Sequence, residues 1–456
     1  MATDRLTLSR KDYADYEFIV KESERLLALG GIKERMKYYS EHKEDALSAL
    51  WGTEGRALEC TRQGAHRFTQ IVARGLEALG PLARRHSASS LVSSLKTRFA
   101  DRAIEICAKT TEENAHDIFD TLLQDAEKEH NELTHYIPCS FAAHKEPAHF
   151  AIGPVCFVLR EIFMQERDAA LRHRRDSKDT PDWPFDELQR FFSKYDWVAS
   201  VRVPPCDPSV SKDRAHELVQ RVLDLFKLVV GGDRAARVRR AYDLAAPNVA
   251  ASLTSSETGD FSISCSRRVP GAIVPDDWYR QISEFKPWQI GESIISAHWE
   301  NWGDIPEPQQ RFLDGLSWHG DALSDADAQA ATLKFWIAIE RVVSLKDNDP
   351  VTRRASIFSV ADPSQFPARF KQCQRLYTHR SKIIHGTEGY KTPKSSIVAI
   401  EMEDLSKRVL LFYLSIVNDL KSKGALSTAG MHDVFTKYER LSRRIEKLPP
   451  RSAKQR

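Results

Sequence analysis

The sequence predicts a mainly α-helical protein with an α+β middle region and a C-terminal all-α bundle. From Asp12 to about His135, and again from Asp321, apolar residues recur at steps of three and four, the period of a helix packed on one face. From Tyr136 to about residue 310 the texture is different: short apolar runs broken by Pro and Gly, as strands and turns are. At 456 residues the chain exceeds one small core. The expected divisions are a helical region over 1–135, a mixed region over 136–320, a helical bundle over 321–425 and a basic helical tail over 426–456.

Hydrophobic residues make up 41% and charged residues 29%, the balance of a soluble globular protein. No apolar run approaches the roughly 20 residues that span a bilayer, and the start, "MATDRLTLSRKDYADYEF", lacks the apolar core of a signal peptide. Seven scattered cysteines without a CxxC pair point to reduced thiols in a cytoplasm, not to a disulfide framework or a cysteine-rich zinc site. A net charge of +3 neither demands nor excludes nucleic acid.

In chain order, "DYEFIVKESERLLALGGI" closes on Gly30-Gly31, a helix stop, and "HRFTQIVARGLEALGPLARR" and "AHDIFDTLLQDAEKEHNEL" read as further helices. "HYIPCSFAAHKEPAHFAIGPVCFVL", "WVASVRVPP" and "DFSISCS" read as strands, with "RDSKDTPDWP" a polar loop and "AHELVQRVLDLFKLVVGG" an amphipathic helix stopped by glycine. "DADAQAATLKFWIAIERVVSL" opens the bundle with acids that suit the positive end of a helix dipole. A second bundle helix runs from Pro367, a favoured first-turn residue, to His385, and a third is "MEDLSKRVLLFYLSIVNDLKS", apolar at 405, 409, 412, 413, 416 and 420. From Arg440 onward seven basic residues face one acid, a pattern expected of a solvated tail or of a surface for RNA or a partner.

The stretch "RLYTHRSKIIHG" carries the most specific signal. On a helix, Phe366, Phe370, Cys373, Tyr377 and Ile384 fall on one apolar stripe, and Arg380 falls among them. An arginine there needs a carboxylate, a phosphate or water, because it cannot discharge. His385 lies about 140° round the helix from Arg380, so the two can line opposite walls of a groove. Gly386 offers the left-handed cap, and the dipole's negative end favours a protonated His385. An imidazole and a planar guanidinium fork suit acid–base work and charge stabilisation on a phosphodiester. Alone, the RxxxxH spacing equally fits an arginine paired with a buried acid and a histidine capping a helix. Glu340, on the same side of its helix as Leu333, Trp336 and Ile337, is the natural carboxylate partner. As a buried pair it would cost about 3–5 kcal/mol to break, either as a structural ion pair or as the group that orients Arg380.

The succession "LKFWIAIERVV", "RLYTHRSKIIHG", "EDLSKRVLLFYLSIV" resembles the HEPN domain, and most closely its abortive-infection-like, Apea-like branch. The family's signature, Arg, four to six residues, then His on an all-α bundle, matches Arg380 and His385, and "SKIIHG" matches the branch. The likeness spans about residues 325–425, and it departs from many catalytic members in carrying Ser381 directly after the arginine. It implies metal-independent endoribonuclease activity in phage defence or a toxin system. A ribose 2′-hydroxyl would attack its neighbouring phosphate while His385 handles protons and Arg380 steadies the charge, with Glu340, Tyr377 and Ser381 in support. It implies RNA as partner, no cofactor or metal, and a homodimer, because one RxxxxH per chain is half of a composite site. A regulatory partner for the N-terminal region fits a held-in-check nuclease. The opposing class is a non-catalytic dimerisation or nucleotide-binding module.

Other motifs are weaker. "PDDWYRQISEFK" holds the letters of a metal-dependent restriction-type nuclease, but Trp278, Ile282 and Phe285 are spaced for a helix. In "HKEPAHF", Pro147 breaks the helix that a zinc HExxH site needs between His144 and His149. "GLSWHG" is one residue too long for a GxSxG elbow.

Overall fold

A computed structural model of the chain describes residues 10–42, 47–51, 57–78, 84–87, 93–94, 97–98, 101, 130–166, 190–241, 251–255, 261–265, 272–346, 349–387 and 393–447. They form two compact units, Met1–Leu133 with Arg202–Arg214, and Thr134–Val201 with Ala215–Arg456.

In the first unit, α1 (Arg10–Ala28) ends where Gly30 turns to φ +93°, as the Gly30-Gly31 stop predicts, and α2 (Ile32–Glu41) follows. A β-hairpin then interrupts the helical region expected over 1–135: β1 (Leu47–Trp51) pairs antiparallel with β2 (Ala57–Thr61). Two five-residue strands are too short for their period to stand out; the legible signal was the pair of glycines, Gly52 and Gly55, between them. α3 (Arg62–Ala78) packs on α1, burying Tyr16, Ile19, Leu26, Phe68 and Ile71. Asp15 binds Arg67 (3.0 Å) and Arg74 (2.9 Å), and Glu22 accepts from the Thr61 hydroxyl (2.6 Å) and amide (3.1 Å). The expected helix "AHDIFDTLLQDAEKEHNEL" and the loop "RDSKDTPDWP" lie mainly or wholly outside the described residues.

The mixed region holds a five-stranded sheet of order β4-β5-β6-β3-β7, with β3 Asn131–Ser140, β4 His149–Ile152, β5 Val155–Leu159, β6 Trp197–Cys206 and β7 Arg239–Arg240. The β4–β5, β5–β6 and β3–β7 pairs are antiparallel. The helix α4 (Pro208–Val230) buries Leu218, Val222, Leu225 and Phe226 and stops at Gly231 and Gly232, both at positive φ. Phe226 stacks on Phe141 (centroids 4.1 Å), and Phe150, Phe157, Trp197 and Trp278 complete an aromatic core. The buried indoles are satisfied: Trp197 donates to the Ala142 carbonyl and Trp278 to that of Glu146, each at 2.8 Å. After the one-turn α5 (Gly232–Ala235), β8 (Ala251–Ser255) and β9 (Phe261–Cys265) pair as a hairpin, the latter on the predicted "DFSISCS".

The rest is helical: α6 (Trp278–Glu284), α7 (Lys286–Glu300), α8 (Glu307–Ser324), α9 (Ala328–Val343), α10 (Val351–Phe358), a 3₁₀ turn (Pro363–Gln365), α11 (Phe366–Ile384), α12 (Pro393–Ser422) and α13 (Thr428–Glu446). Asp327 caps α9 by accepting from the amides of Gln329 and Ala330. Packing does not break at residue 320, because α8 lies against both α9 and α12. Gly315 is what allows the approach: a Cβ there would meet Val342 at 2.9 Å, Leu410 at 3.0 Å and the Ala338 carbonyl at 3.1 Å. The "GLSWHG" segment is thus helix interior, with Gly315, His319 and Gly320 buried.

Between α4, α8 and α12 lies a buried polar cluster. Lys227 and Asp224 form a fully buried pair at 3.1 Å, and Lys227 also donates to the Gly320 carbonyl (3.2 Å) and the Ser324 hydroxyl (2.9 Å). Buried His319 is hydrogen-bonded through Nδ1 to Ser406 at 3.0 Å. Burial, reinforced by Lys407 and Lys227, pulls its pKa down to about 3, while burial pushes that of Asp224 up to about 6 against the attraction of Lys227.

The C-terminal helix α13 is no solvated tail up to Lys447. Met431 and Phe435 are buried, Phe435 packs at 5.2 Å from Phe358, and Arg353 and Arg354 of α10 bind Glu446 and Glu439. Among the described residues, no helix is long and apolar enough to cross a membrane.

Candidate functional site

Helix α11 runs where the sequence predicts it, but its inner face is rotated from the expected stripe. Phe366, Cys373, Leu376 and His379 are buried, whereas Tyr377 and Ile384 are 43% and 50% exposed. At 100° per residue the buried set 366–373–376–379 is centred about 60° round the helix from the expected stripe 366–373–377–384, a rotation that the neighbouring helices decide. Arg380 falls between Cys373 and Leu376 on this face, near the end of the helix, with its side chain 24% exposed.

Glu340 comes from α9 to the same place. Its Oε1 lies 3.7 Å from Arg380 Nη2, so the predicted partners do meet. The pair is not buried, however: Glu340 is 34% exposed, and 3.7 Å is an ion pair without a hydrogen bond. The inner face of α9 is formed by Phe335, Trp336, Ala338, Ile339, Val342 and Val343, which leaves Glu340, with Leu333 and Ile337, on its edge. Breaking a pair this exposed costs about 0.2–1 kcal/mol rather than the several of a buried one.

Trp336 was legible only as a core residue. It is fully buried, and its indole N–H donates to Glu340 Oε1 at 2.6 Å, fixing the carboxylate. The Tyr377 ring packs on Trp336 with centroids 5.3 Å apart, and the Arg380 guanidinium lies 6.0 Å from the Tyr377 centroid. Glu340, Trp336, Tyr377 and Arg380 thus form one chain of contacts across α9 and α11. With Glu340 as its one carboxylate partner among the described residues, the five-donor fork of Arg380 retains capacity for phosphate oxygens. Ser381, the next residue, is half-buried.

His385 terminates α11. Its amide bonds the Ser381 carbonyl at 3.0 Å, Gly386 adopts φ +66°, and the Gly386 and Thr387 amides close onto the carbonyls of Ile383 and Lys382. This is the glycine-capped ending that the sequence predicts, and it leaves His385 exposed. The adjacent histidine, His379, is buried on the inner face.

The restriction-type reading of "PDDWYRQISEFK" fails on geometry: Trp278–Glu284 is helical, with Trp278 and Ile282 packed inward, so no strand pair carries Asp276, Glu284 and Lys286. His144 turns its Nδ1 toward the Glu146 backbone in an irregular segment, not a zinc-binding helix.

No protein-family model, curated protein or solved structure matches this chain.

Proposed function

We propose that the chain is a metal-independent endoribonuclease of the HEPN type, with Arg380 and His385 as its catalytic residues. The observation that carries this reading is a partly exposed guanidinium with spare donors, held by Glu340 and Tyr377, about one turn and a half before an exposed imidazole at a glycine-capped helix end. In the reaction the 2′-oxygen of a ribose forms a bond to the adjacent phosphorus as the bond to the 5′-oxygen breaks. The 2′-proton leaves to a base and a proton reaches the departing 5′-oxygen, so the products are a 2′,3′-cyclic phosphate and a 5′-hydroxyl. His385 is the acid–base group, and Arg380 binds the phosphate oxygens on which charge builds. Phage defence or a toxin system is the setting that the resemblance suggests.

Arg380→Ala and His385→Ala are each expected to lower cleavage of single-stranded RNA by about 10²–10⁴, with EDTA present or absent. Mass spectrometry of the products should find the cyclic phosphate. Full activity in a folded His385→Ala protein would remove the ribonuclease reading. One observation favours the non-catalytic alternative: Arg380 already has an acidic partner, as a structural ion pair would. In that case RNA or nucleotide binding survives with no cleavage in the unaltered protein.

A further inference from the structure

We infer that the outer face of α13 is a docking surface for the backbone of single-stranded RNA; the identity of this polyanion rests on the ribonuclease reading. Lys437, Arg440, Arg443, Arg444 and Lys447 are all exposed. At 100° per residue they fall within an arc of about 120°, centred about 160° from the side that buries Met431, Phe435 and Ser442. The helix carries two acids among them, but both are drawn away: Glu439 accepts from Arg354 Nε at 2.7 Å and Glu446 from Arg353 Nη1 at 2.9 Å. Thus α10 neutralises Glu439 and Glu446 and leaves the cations beside them uncompensated by these two acids. None of the five makes an ion pair among the described residues, whereas Arg311, Arg369, Arg375 and Arg408 on neighbouring helices each pair with a carboxylate. Asp433, one turn before Lys437, is the remaining acid on that arc, and the sequence after Lys447 adds Arg451, Lys454 and Arg456 with no acid.

The chemistry of this face selects the partner. Ten residues of helix extend the stripe over about 15 Å. The arc itself holds no aromatic or large aliphatic side chain, which a protein interface uses as its anchor; Leu441, 37% exposed, borders it about 40° beyond Lys437 as a lone aliphatic. The apolar side of α13 is already buried in the bundle, so it cannot enter a bilayer as an interfacial helix does. Evenly spread cations on long stems suit repeating phosphates, bound without regard to sequence. Arg353, which holds Glu446, also lies 4.8 Å over the Phe370 ring, so the end of α13 stands by the first half of α11. Arg380 is ten residues further along that helix, about 15 Å. A dinucleotide at Arg380 would not reach the stripe; a longer strand would.

The test uses the full chain and a 2′-O-methyl single-stranded oligonucleotide of about 15 nucleotides, which binds without being cleaved. Arg440→Glu/Arg444→Glu/Lys447→Glu is expected to weaken binding at least tenfold at low salt and to flatten the log–log salt slope by about two, at roughly 0.7 per lost phosphate contact. The corresponding triple Gln variant, which adds no negative charge, should flatten the slope equally. Both should raise KM for long RNA and leave cleavage of a dinucleoside monophosphate unchanged. Unaltered affinity and slope in both variants, or no RNA binding by the unaltered protein, overturns the surface, as does stripe-dependent binding to phosphatidylserine vesicles or polyglutamate in place of RNA. Stripe-dependent RNA binding with no cleavage of any RNA would sustain the surface and remove the ribonuclease reading. Dinucleotide cleavage with variants indifferent on long RNA would do the reverse.

Discussion

Arg380 and Glu340 meet as their residue types predict, yet the energy of the contact is set by exposure. With side chains 24% and 34% exposed and 3.7 Å between charges, solvent screens most of the attraction. Glu340→Gln keeps an oxygen to accept the Trp336 N–H, so it removes charge and little else. Its expected effect on stability is below about 1 kcal/mol in urea unfolding. If the carboxylate orients Arg380, RNA cleavage nevertheless falls by about tenfold, an effect of about 1.4 kcal/mol on the barrier. A loss of several kcal/mol in stability would mean that the pair is more deeply buried than it stands here.

The packing of α4, α8 and α12 creates groups whose titration no single helix foretells. Folded His319 stays neutral down to about pH 3, while in the unfolded chain it gains a proton below its ordinary 6.5. Stability is therefore lost as pH falls from about 6.5 toward 3, at up to about 1.4 kcal/mol per unit. Asp224 acts in the opposite sense: folded, it takes its proton near pH 6, unfolded only near 3.9, so stability is gained as pH falls from 6 to 4. The two offset one another across that window. His319→Gln should expose the Asp224 contribution, so its stability relative to the unaltered protein rises as pH drops from 6.5 to 4. Denaturant titrations at pH 7, 6, 5 and 4.5 measure it; a difference independent of pH would mean that folded His319 titrates normally. Gly320 belongs to the same device, because a Cβ there would collide with the Asp224 carboxylate.

At the scale of the molecule, one RxxxxH per chain gives half of the composite site that the proposed function needs. Tyr377 and Ile384 on α11, and Ile397 and Ile400 at the start of α12, are exposed apolar side chains at the same end of the bundle as Arg380 and His385. Sedimentation at micromolar concentration should find a homodimer, and Ile397→Asp/Ile400→Asp should dissociate it and cost RNA cleavage together. A monomer that cleaves RNA fully would defeat this arrangement.

The sequence by itself determined the three bundle helices α9, α11 and α12, the strands within 135–159 and 197–205, the glycine stops at Gly30, Gly231 and Gly386, and the pairing of Glu340 with Arg380. Each follows from local period, cap chemistry, or the need of an arginine for a carboxylate. Only the tertiary structure decided that α11 turns Leu376 and His379 inward in place of Tyr377 and Ile384, because both faces share Phe366 and Cys373 and a rotation of about 60° between them is chosen by the neighbouring helices. It likewise decided the hairpin at 47–61, the anchoring of Glu340 by Trp336, and the docking of α13 through its acids. These depend on contacts between residues tens of positions apart, for which periodicity along one chain carries no signal.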